Sequence, residues 1–350
     1  MNIGGHRLSQ DGVYVIAEAG VNHNGSVRLA KQLVDAAVDA GANAVKFQMY
    51  ETESLVTNKA GLADYQRRGG TSHTQKELLA RYELTAEQFA EIKRYCDQRK
   101  IVFLATPFDL KSAEALQQMN VDAFKIGSGD LTYRPLLKRI ARFRKPLILS
   151  TGMATIGEVE HALQGVFEVN RKADVALLHC TSSYPAPFHT LHLKAMQSWG
   201  LIFKRPIGYS DHSQGIEASI AAVALGACIL EKHFTLSRKM DGPDHLASLE
   251  PSELKKMIRS VRNVEAALGH SVKQMTSEEE QTKLKVRRSL YIAKDLPEGH
   301  IITEQDVACL RPLDGVDVAY IEQVIGQQLV RSKRKHESLH WRDLGEEGDG

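Results

Sequence analysis

Eight times over its first 270 residues the chain repeats one unit, a short unbroken apolar run followed by a longer amphipathic segment. The runs lie at residues 13–17, 44–47, 102–105, 123–126, 146–149, 175–178, 206–209 and 228–230. The helical patterns lie at 27–40, 86–98, 111–119, 134–143, 156–169, 191–198, 216–225 and 251–267. Runs this short and continuous predict strands buried on both faces. Strand then helix, repeated, predicts a parallel sheet, and eight such units close a barrel. The expected fold is therefore α/β, a (β/α)8 TIM barrel over residues 1–270. The alternative is an open doubly wound sheet. That fold would carry a G-x-G-x-x-G turn after its first strand, whereas residues 18–25 read EAGVNHNG.

After Gly269 the pattern changes. Residues 271–288 are polar and read as a linker. Residues 289–344 break into short strands and turns, a small and mostly β module, with a helix start capped by Thr303. The glycine-rich tail 345–350 is expected to be disordered. Lys and Arg number 45 against 43 Asp and Glu, a balance that gives no support for broad nucleic-acid binding. None of Cys96, Cys180, Cys228 and Cys309 forms a C-x-x-C pair, so reduced thiols in a cytoplasmic protein are expected. Residues 1–10 lack the apolar core of a signal peptide, and the longest apolar stretch, 218–230, is too short to span a bilayer. A soluble protein without membrane contact is the expectation.

Barrel catalysis takes place at the carboxyl ends of the strands. All eight runs end in polar or ionisable residues here. They include Glu18, then Lys46 and Gln48, then Lys125 and Ser128, then Ser150, then Ser182 and Tyr184, then Ser210 and His212, then Glu231 and His233. A charge inside strand text is costly unless paired or used. One such residue alone is commonly a structural ion pair; the whole ring together points to a site. Lys46 and Lys125, with Ser128, Ser150, Ser182 and Ser210, suit a phosphate held by charge-assisted hydrogen bonds. His212 and His233 end neighbouring strands, where two imidazoles can share a divalent ion. The same spacing also suits one packed and one exposed histidine.

The ordered runs IAEAGVNHNG (16–25), KFQ (46–48), TPFD (106–109), KIGSGD (125–130), STGM (150–153), HCTSSYP (179–185), GYSDH (208–212), EKHF (231–234) and GPDH (242–245) resemble the sialic acid synthase family. That family makes N-acetylneuraminate, legionaminate and pseudaminate. The resemblance covers nearly the whole chain, and the last module resembles the family's antifreeze-like (SAF) domain. It implies condensation of phosphoenolpyruvate with the aldehyde of an N-acetylated mannosamine-type sugar, with release of phosphate. It implies Mn2+ or Mg2+ on His212 and His233, and phosphate contacts on Lys125, Ser128, Ser150 and Ser210. Lys46 would face the phosphoenolpyruvate carboxylate, and Glu18 and Glu231 would contact sugar hydroxyls and handle protons. Gln48, Ser182, Tyr184 and Asp244 would bind substrate. It further implies a homodimer in which Arg311, within an Arg-Pro pair, reaches the partner's sugar site. Two departures stand out: Ser182 replaces an asparagine of some members, and residues 313–318 replace a glycine-rich turn.

N-acetylneuraminate is the expected product, with legionaminate or pseudaminate from a diacetamido-trideoxy sugar as the alternative. The long segment 51–76, with Tyr65, Gln66, Arg67 and Arg68, is the expected reader of the sugar. Two further readings are a Schiff-base aldolase on Lys125 and a non-catalytic sugar- or ice-binding protein.

Overall fold

The computed structural model describes residues 1–62 and 74–345. Tyr65, Gln66, Arg67 and Arg68, expected to read the sugar, lie outside the described residues, as does the tail after 345. The chain forms two compact units, Met1–Gly269 and His270–Gly350.

The first unit holds eight strands: β1 (Tyr14–Gly20), β2 (Ala44–Met49), β3 (Val102–Pro107), β4 (Phe124–Ile126), β5 (Leu147–Ser150), β6 (Val175–Cys180), β7 (Ile207–Asp211) and β8 (Ile229–His233). Every ladder between them is parallel, in the order β3-β2-β1-β8-β7-β6-β5-β4. The sheet wraps into a nearly closed barrel whose seam lies between β3 and β4. The strands begin within one residue of where the apolar runs predict, and all but β4, which ends with its run at Ile126, continue one to three residues further, because the polar residues at their ends still belong to the ladder.

The helices are α1 (Val27–Ala40), α2 (Thr52–Leu55), α3 (Gln75–Tyr82), α4 (Ala86–Gln98), α5 (Leu110–Gln118), α6 (Arg134–Arg142), α7 (Ile156–Val169), α8 (Lys194–Phe203), α9 (Glu217–Ala224) and α10 (Pro251–Leu268). Local chemistry sets their ends. Capping boxes at Thr85 and Thr155 start α4 and α7, each cap contributing about 1 kcal/mol. Gly41, at φ +85°, closes α1. Helix α2 falls inside the long polar segment 51–76, and α3 begins at its end and runs on to Tyr82, a stretch to which the sequence reading gave no helix.

Side chains alternate across each strand. Val15, Ala17, Val45, Phe47, Phe103, Leu149, Leu177 and Leu230 face outward and form the main core with the helices. Tyr14, Ile16, Ala44, Leu104, Ala123, Ile148, Leu178 and Ile229 face inward and fill the lower barrel. A short antiparallel hairpin, Asn2–Ile3 with His6–Arg7, adds Ile3 and Leu8 to that inner cluster and plugs the amino-terminal end. Two-residue strands are too short to carry a period, so the sequence reading did not find the plug.

In the second unit, the segment expected as a linker contains a helix, α11 (Ser277–Val286), with a capping box at Thr276 and no buried side chain. Its cap and propensity form it, not packing. Strands β9 (Ser289–Ile292) and β10 (Val307–Leu310) pair antiparallel over a core of Leu290, Ile292, Leu296, Ile302, Val316 and Val324. The helix expected after Thr303 is a single 3-10 turn, Glu304–Asp306. Asp306 ends it, because its carboxylate takes hydrogen bonds from Thr303 and His300 and an ion pair from Lys294, and the next residue enters β10. No helix among the described residues is long and apolar enough to cross a membrane.

Candidate active site

The inward rows of the barrel change character along its axis. The lower residues named above are apolar. Two residues further along each strand stand Glu18, Lys46, Thr106, Lys125, Ser150, Cys180, Ser210 and Glu231, and beyond them Gln48, His212 and His233. Strand period alone places this layer: a side chain two positions on points the same way. Glu18 pairs in register with Lys46, Ser210 with Glu231 and Cys180 with Ser210. A register shift between Glu18 and Gly20 bends β1 at this layer.

Four charges form its centre. Lys46 Nζ lies 2.8 Å from Glu18 Oε2 and 3.7 Å from Glu231 Oε2, and donates to Thr106 Oγ1 at 3.1 Å. Lys125 Nζ lies 3.3 Å from Glu231 Oε1 and donates to Ser150 Oγ at 2.7 Å. All four are buried. Burial alone would lower the Lys46 ammonium, but Glu18 and Glu231 outweigh it and hold it above its ordinary value. Burial dominates at Lys125 and lowers it. Burial works against ionised Glu231, yet Lys125 and Lys46 overcome it and hold that carboxyl near 2. Glu18 is raised by burial, with Lys46 opposing. Two lysines and two carboxylates cancel, so the quartet by itself offers no net positive charge to an anion.

A second cluster joins the quartet at Lys125. Ser128 Oγ accepts from the Gly152 N–H at 3.0 Å and lies 3.0 Å from Cys180 Sγ. A methyl built on Gly152 would fall 2.3 Å from Ser182 Oγ and 2.8 Å from both Ser128 Oγ and Cys180 Sγ. Three polar side chains therefore aim at one point beside Lys125 and Ser150, leaving a cradle that only glycine keeps open. Ser210 lies on the other side: its hydroxyl donates to Glu231 Oε1 at 3.0 Å and stands 3.4 Å from His212 Nε2.

His212 and His233 lie with ring centroids 5.5 Å apart, and both are buried, so the arrangement with one exposed ring is not the one formed. Burial lowers His212 to about 4 and His233 to about 3, leaving both neutral. His212 Nδ1 lies 2.8 Å from the Thr181 carbonyl, which fixes the proton there and presents the Nε2 lone pair. His233 Nδ1 is buried without a hydrogen-bond partner among the described residues, Asp244 Oδ2 being 3.9 Å away. Two neutral imidazoles, one oriented by a carbonyl and one orphaned, fit a divalent cation. No group of three or more His, Cys, Asp or Glu among the described residues completes its shell, so substrate or water oxygens would do so. Tyr184 packs against His212 with ring centroids 4.2 Å apart and the planes tilted by 33°. Asp244, driven by burial and by Glu18 to about 7, meets Gln48 and Glu18 around Gly20, and Gln48 donates to Glu18 Oε1 at 3.2 Å.

Among the described residues, the barrel thus gathers the site residues expected of its strand ends and loops, while Arg311 belongs to the second unit. Arg311 is exposed at the end of β10 in the second unit. Thr106, Cys180 and Gly152 were missed as site residues, although each stands in a quoted motif; their signal was the period-2 position or the neighbouring Ser-Thr-Gly run. The Asp211–Lys232 pair was also missed. Its side chains lie on the outer face of β7 and β8, 2.9 Å apart and fully buried. A groove of about 480 Å3 near Met196, Arg205 and Cys228 lies at the other end of the strands and gathers no comparable charges.

Residues 33–273 match the NeuB family, and residues 287–345 match the SAF domain. The chain is 43% identical to the N,N'-diacetyllegionaminic acid synthase of Campylobacter jejuni, over 93% of this chain and 98% of that one. It is 40% identical to the enzyme of the same name from Legionella pneumophila, over 95% and 94%. The solved N-acetylneuraminic acid synthetase of Leptospira borgpetersenii superposes with a TM-score of 0.73 at 35% identity, over 81% of this chain and 94% of that one.

Proposed function

Since the chain belongs to the NeuB family of phosphoenolpyruvate-dependent nonulosonic acid synthases and carries its SAF domain, we propose that it makes N,N'-diacetyllegionaminate from a diacetamido-trideoxy sugar. The sequence alone favoured the N-acetylneuraminate product. The 43% and 40% identities to legionaminic acid synthases, against 35% to a solved N-acetylneuraminic acid synthetase, support the other acceptor. The observation that carries the reaction class is the polar layer, in which two lysines, two carboxylates and two neutral histidines converge at the carboxyl end of one barrel.

In this reading the methylene carbon of phosphoenolpyruvate bonds to the sugar's aldehyde carbon, whose oxygen takes up a proton to become a hydroxyl; water adds at the phosphate-bearing carbon, loses its protons, and phosphate leaves that carbon to give the 2-keto acid. Lys125, Ser150, Ser128 and Ser182 hold the phosphate in the cradle around Gly152, and Lys46 faces the carboxylate. Strand-end positions hold both reactants at attack distance, which replaces a bimolecular encounter by a local one. Glu18 and Glu231 accept from sugar hydroxyls and exchange protons, while Gln48, Tyr184 and Asp244 border the sugar. A divalent ion such as Mn2+ or Mg2+ on His212 and His233, with Ser210 beside them, would supply Lewis-acid polarisation of the aldehyde oxygen. The neutral charge of the quartet supports that requirement, since a polyanionic substrate needs a positive partner there.

The test is phosphate release from phosphoenolpyruvate with a panel of acceptors, with and without Mn2+. Turnover is expected with the diacetamido-trideoxy sugar at a kcat/KM at least tenfold above that for N-acetylmannosamine. The reverse order overturns the legionaminate reading, and no release with any acceptor overturns the synthase reading.

A further inference from the structure

After β8 the chain makes a loop and returns to the strand end before α10 begins. The Leu249 N–H donates to the His233 carbonyl and the Thr235 N–H to the Leu249 carbonyl, both at 2.9 Å. Asp244 stands inside that loop, just ahead of a single 3-10 turn, His245–Ala247. A turn of three residues has too few hydrogen bonds of its own to fix a carboxylate against the barrel.

The Asn22-His23-Asn24 run after β1 supplies the missing hold. Asn22 Nδ2 donates to the Phe234 carbonyl at 2.8 Å and to Ser248 Oγ at 3.0 Å, and the Ser248 hydroxyl donates to the Asp244 carbonyl at 2.6 Å. Asn24 Nδ2 donates to the Asp241 carbonyl at 3.0 Å, which leaves Asn24 Oδ1 as an acceptor. His245 closes the clamp, with Nε2 3.1 Å from Asn24 Oδ1 and Nδ1 2.7 Å from Thr235 Oγ1. Nε2 therefore carries the proton, and Nδ1 accepts from the Thr235 hydroxyl. Burial lowers this imidazole to about 4, so it keeps that form at neutral pH. The ring is fully buried, and a methyl built on Gly242 would fall 2.6 Å from its Cδ2. One imidazole thus joins the loop after β1 to the end of β8 and carries the residue before it, Asp244, to its place beside Gln48 and His233.

We propose that His245 is a positioning residue of the reaction: by bridging Asn24 and Thr235 it holds the Asp244 carboxyl where the acceptor's hydroxyls meet it, without touching substrate itself. The inference rests on Asp244 bordering the sugar, as in the function proposed above. It gives the Asn22-His23-Asn24 run a part in the reaction at one remove from the reacting atoms.

The test measures phosphate-release kinetics, Mn2+ affinity and thermal melting for wild type, His245→Leu, His245→Gln, Asn24→Ala and Asp244→Ala, and for each of the first and third variants combined with Asp244→Ala. His245→Leu is expected to raise the acceptor KM at least tenfold, with the phosphoenolpyruvate KM and the Mn2+ affinity within twofold of wild type. Asn24→Ala, which leaves the buried ring in place, is expected to raise the acceptor KM at least threefold. His245→Gln keeps an N–H for Asn24 and is expected to recover most of the acceptor KM. In the Asp244→Ala background both changes are expected to add less than twofold, because they act through that one carboxylate. If wild type turns over but the acceptor KM stays put in Asn24→Ala and in a folded His245→Leu, the inference alone is overturned. Effects that multiply in full with Asp244→Ala overturn it too, since the clamp would then act on stability and not through Asp244. Should His245→Leu not fold, Asn24→Ala and its combination with Asp244→Ala decide by the same criteria. If wild type releases no phosphate with any acceptor, the functional reading and the inference fall together.

Discussion

At Gly152 one absent atom shapes the anion site. Its N–H donates to Ser128, and a methyl there would press on Ser182, Ser128 and Cys180 at 2.3 to 2.8 Å. Serine side chains are short, so the hydroxyls could yield only by turning away from the cradle. Gly152→Ala is therefore expected to raise KM for phosphoenolpyruvate at least tenfold and to change the sugar KM little, checked by steady-state kinetics. An unchanged phosphoenolpyruvate KM would remove the cradle from phosphate binding. Lys46 shows the complementary case. Its residue type marked it as a cation for substrate, yet Glu18 and Thr106 already hold it, so its charge is balanced before any ligand enters.

Between elements, the outer faces of β7 and β8 support the inner ones. Lys232 pairs with Asp211 at 2.9 Å and donates to the Ser213 carbonyl at 2.6 Å. Asp211 accepts from the Ser213 N–H and hydroxyl and from Ser219. The residue before His233 thus grips the chain on both sides of His212, setting the spacing of the two rings. Lys232→Met alone would strand a buried carboxylate, at a cost of about 3–5 kcal/mol. The double variant Asp211→Asn/Lys232→Met avoids that charge. It is expected to regain most of the thermal stability yet bind Mn2+ ten- to hundredfold more weakly, read from the free-ion resonance signal. Wild-type affinity would show the pair to be structural only.

The elements also show what a sequence can and cannot reveal. Helices α1, α4 and α7 begin and end where period and caps predict, because the first polar cap and the apolar stripe are local signals. Lys232 and Asp211 read only as charges beside site residues, since strand alternation says they face away but not that they meet. Helix α3 hid in polar text because its apolar face is only Leu78, Leu79 and Tyr82.

For the whole molecule, the expectation of a shared site in a homodimer gives a direct prediction. Arg311→Ala and His212→Ala chains are each expected to lose at least a hundredfold in turnover. Mixed after dissociation and reassembly, they should recover up to about a quarter of wild-type activity, because half of the mixed dimers' sites would pair an intact His212 with an intact partner Arg311. Activity that stays at the single-variant level would place Arg311 outside the partner's site.

The sequence by itself determined the barrel, its eight strands and the ring of polar strand ends, because burial on both faces writes a continuous apolar run and period two carries the ring inward. It also carried the family, through motifs whose order a chance likeness does not reproduce. Only the tertiary structure decided which charges neutralise one another, that both histidines are buried and neutral, that Gly152 keeps a cradle open, and that His245 joins Asn24 and Thr235 around the loop of Asp244. Those are distances between residues far apart in the chain, and local pattern holds no record of them.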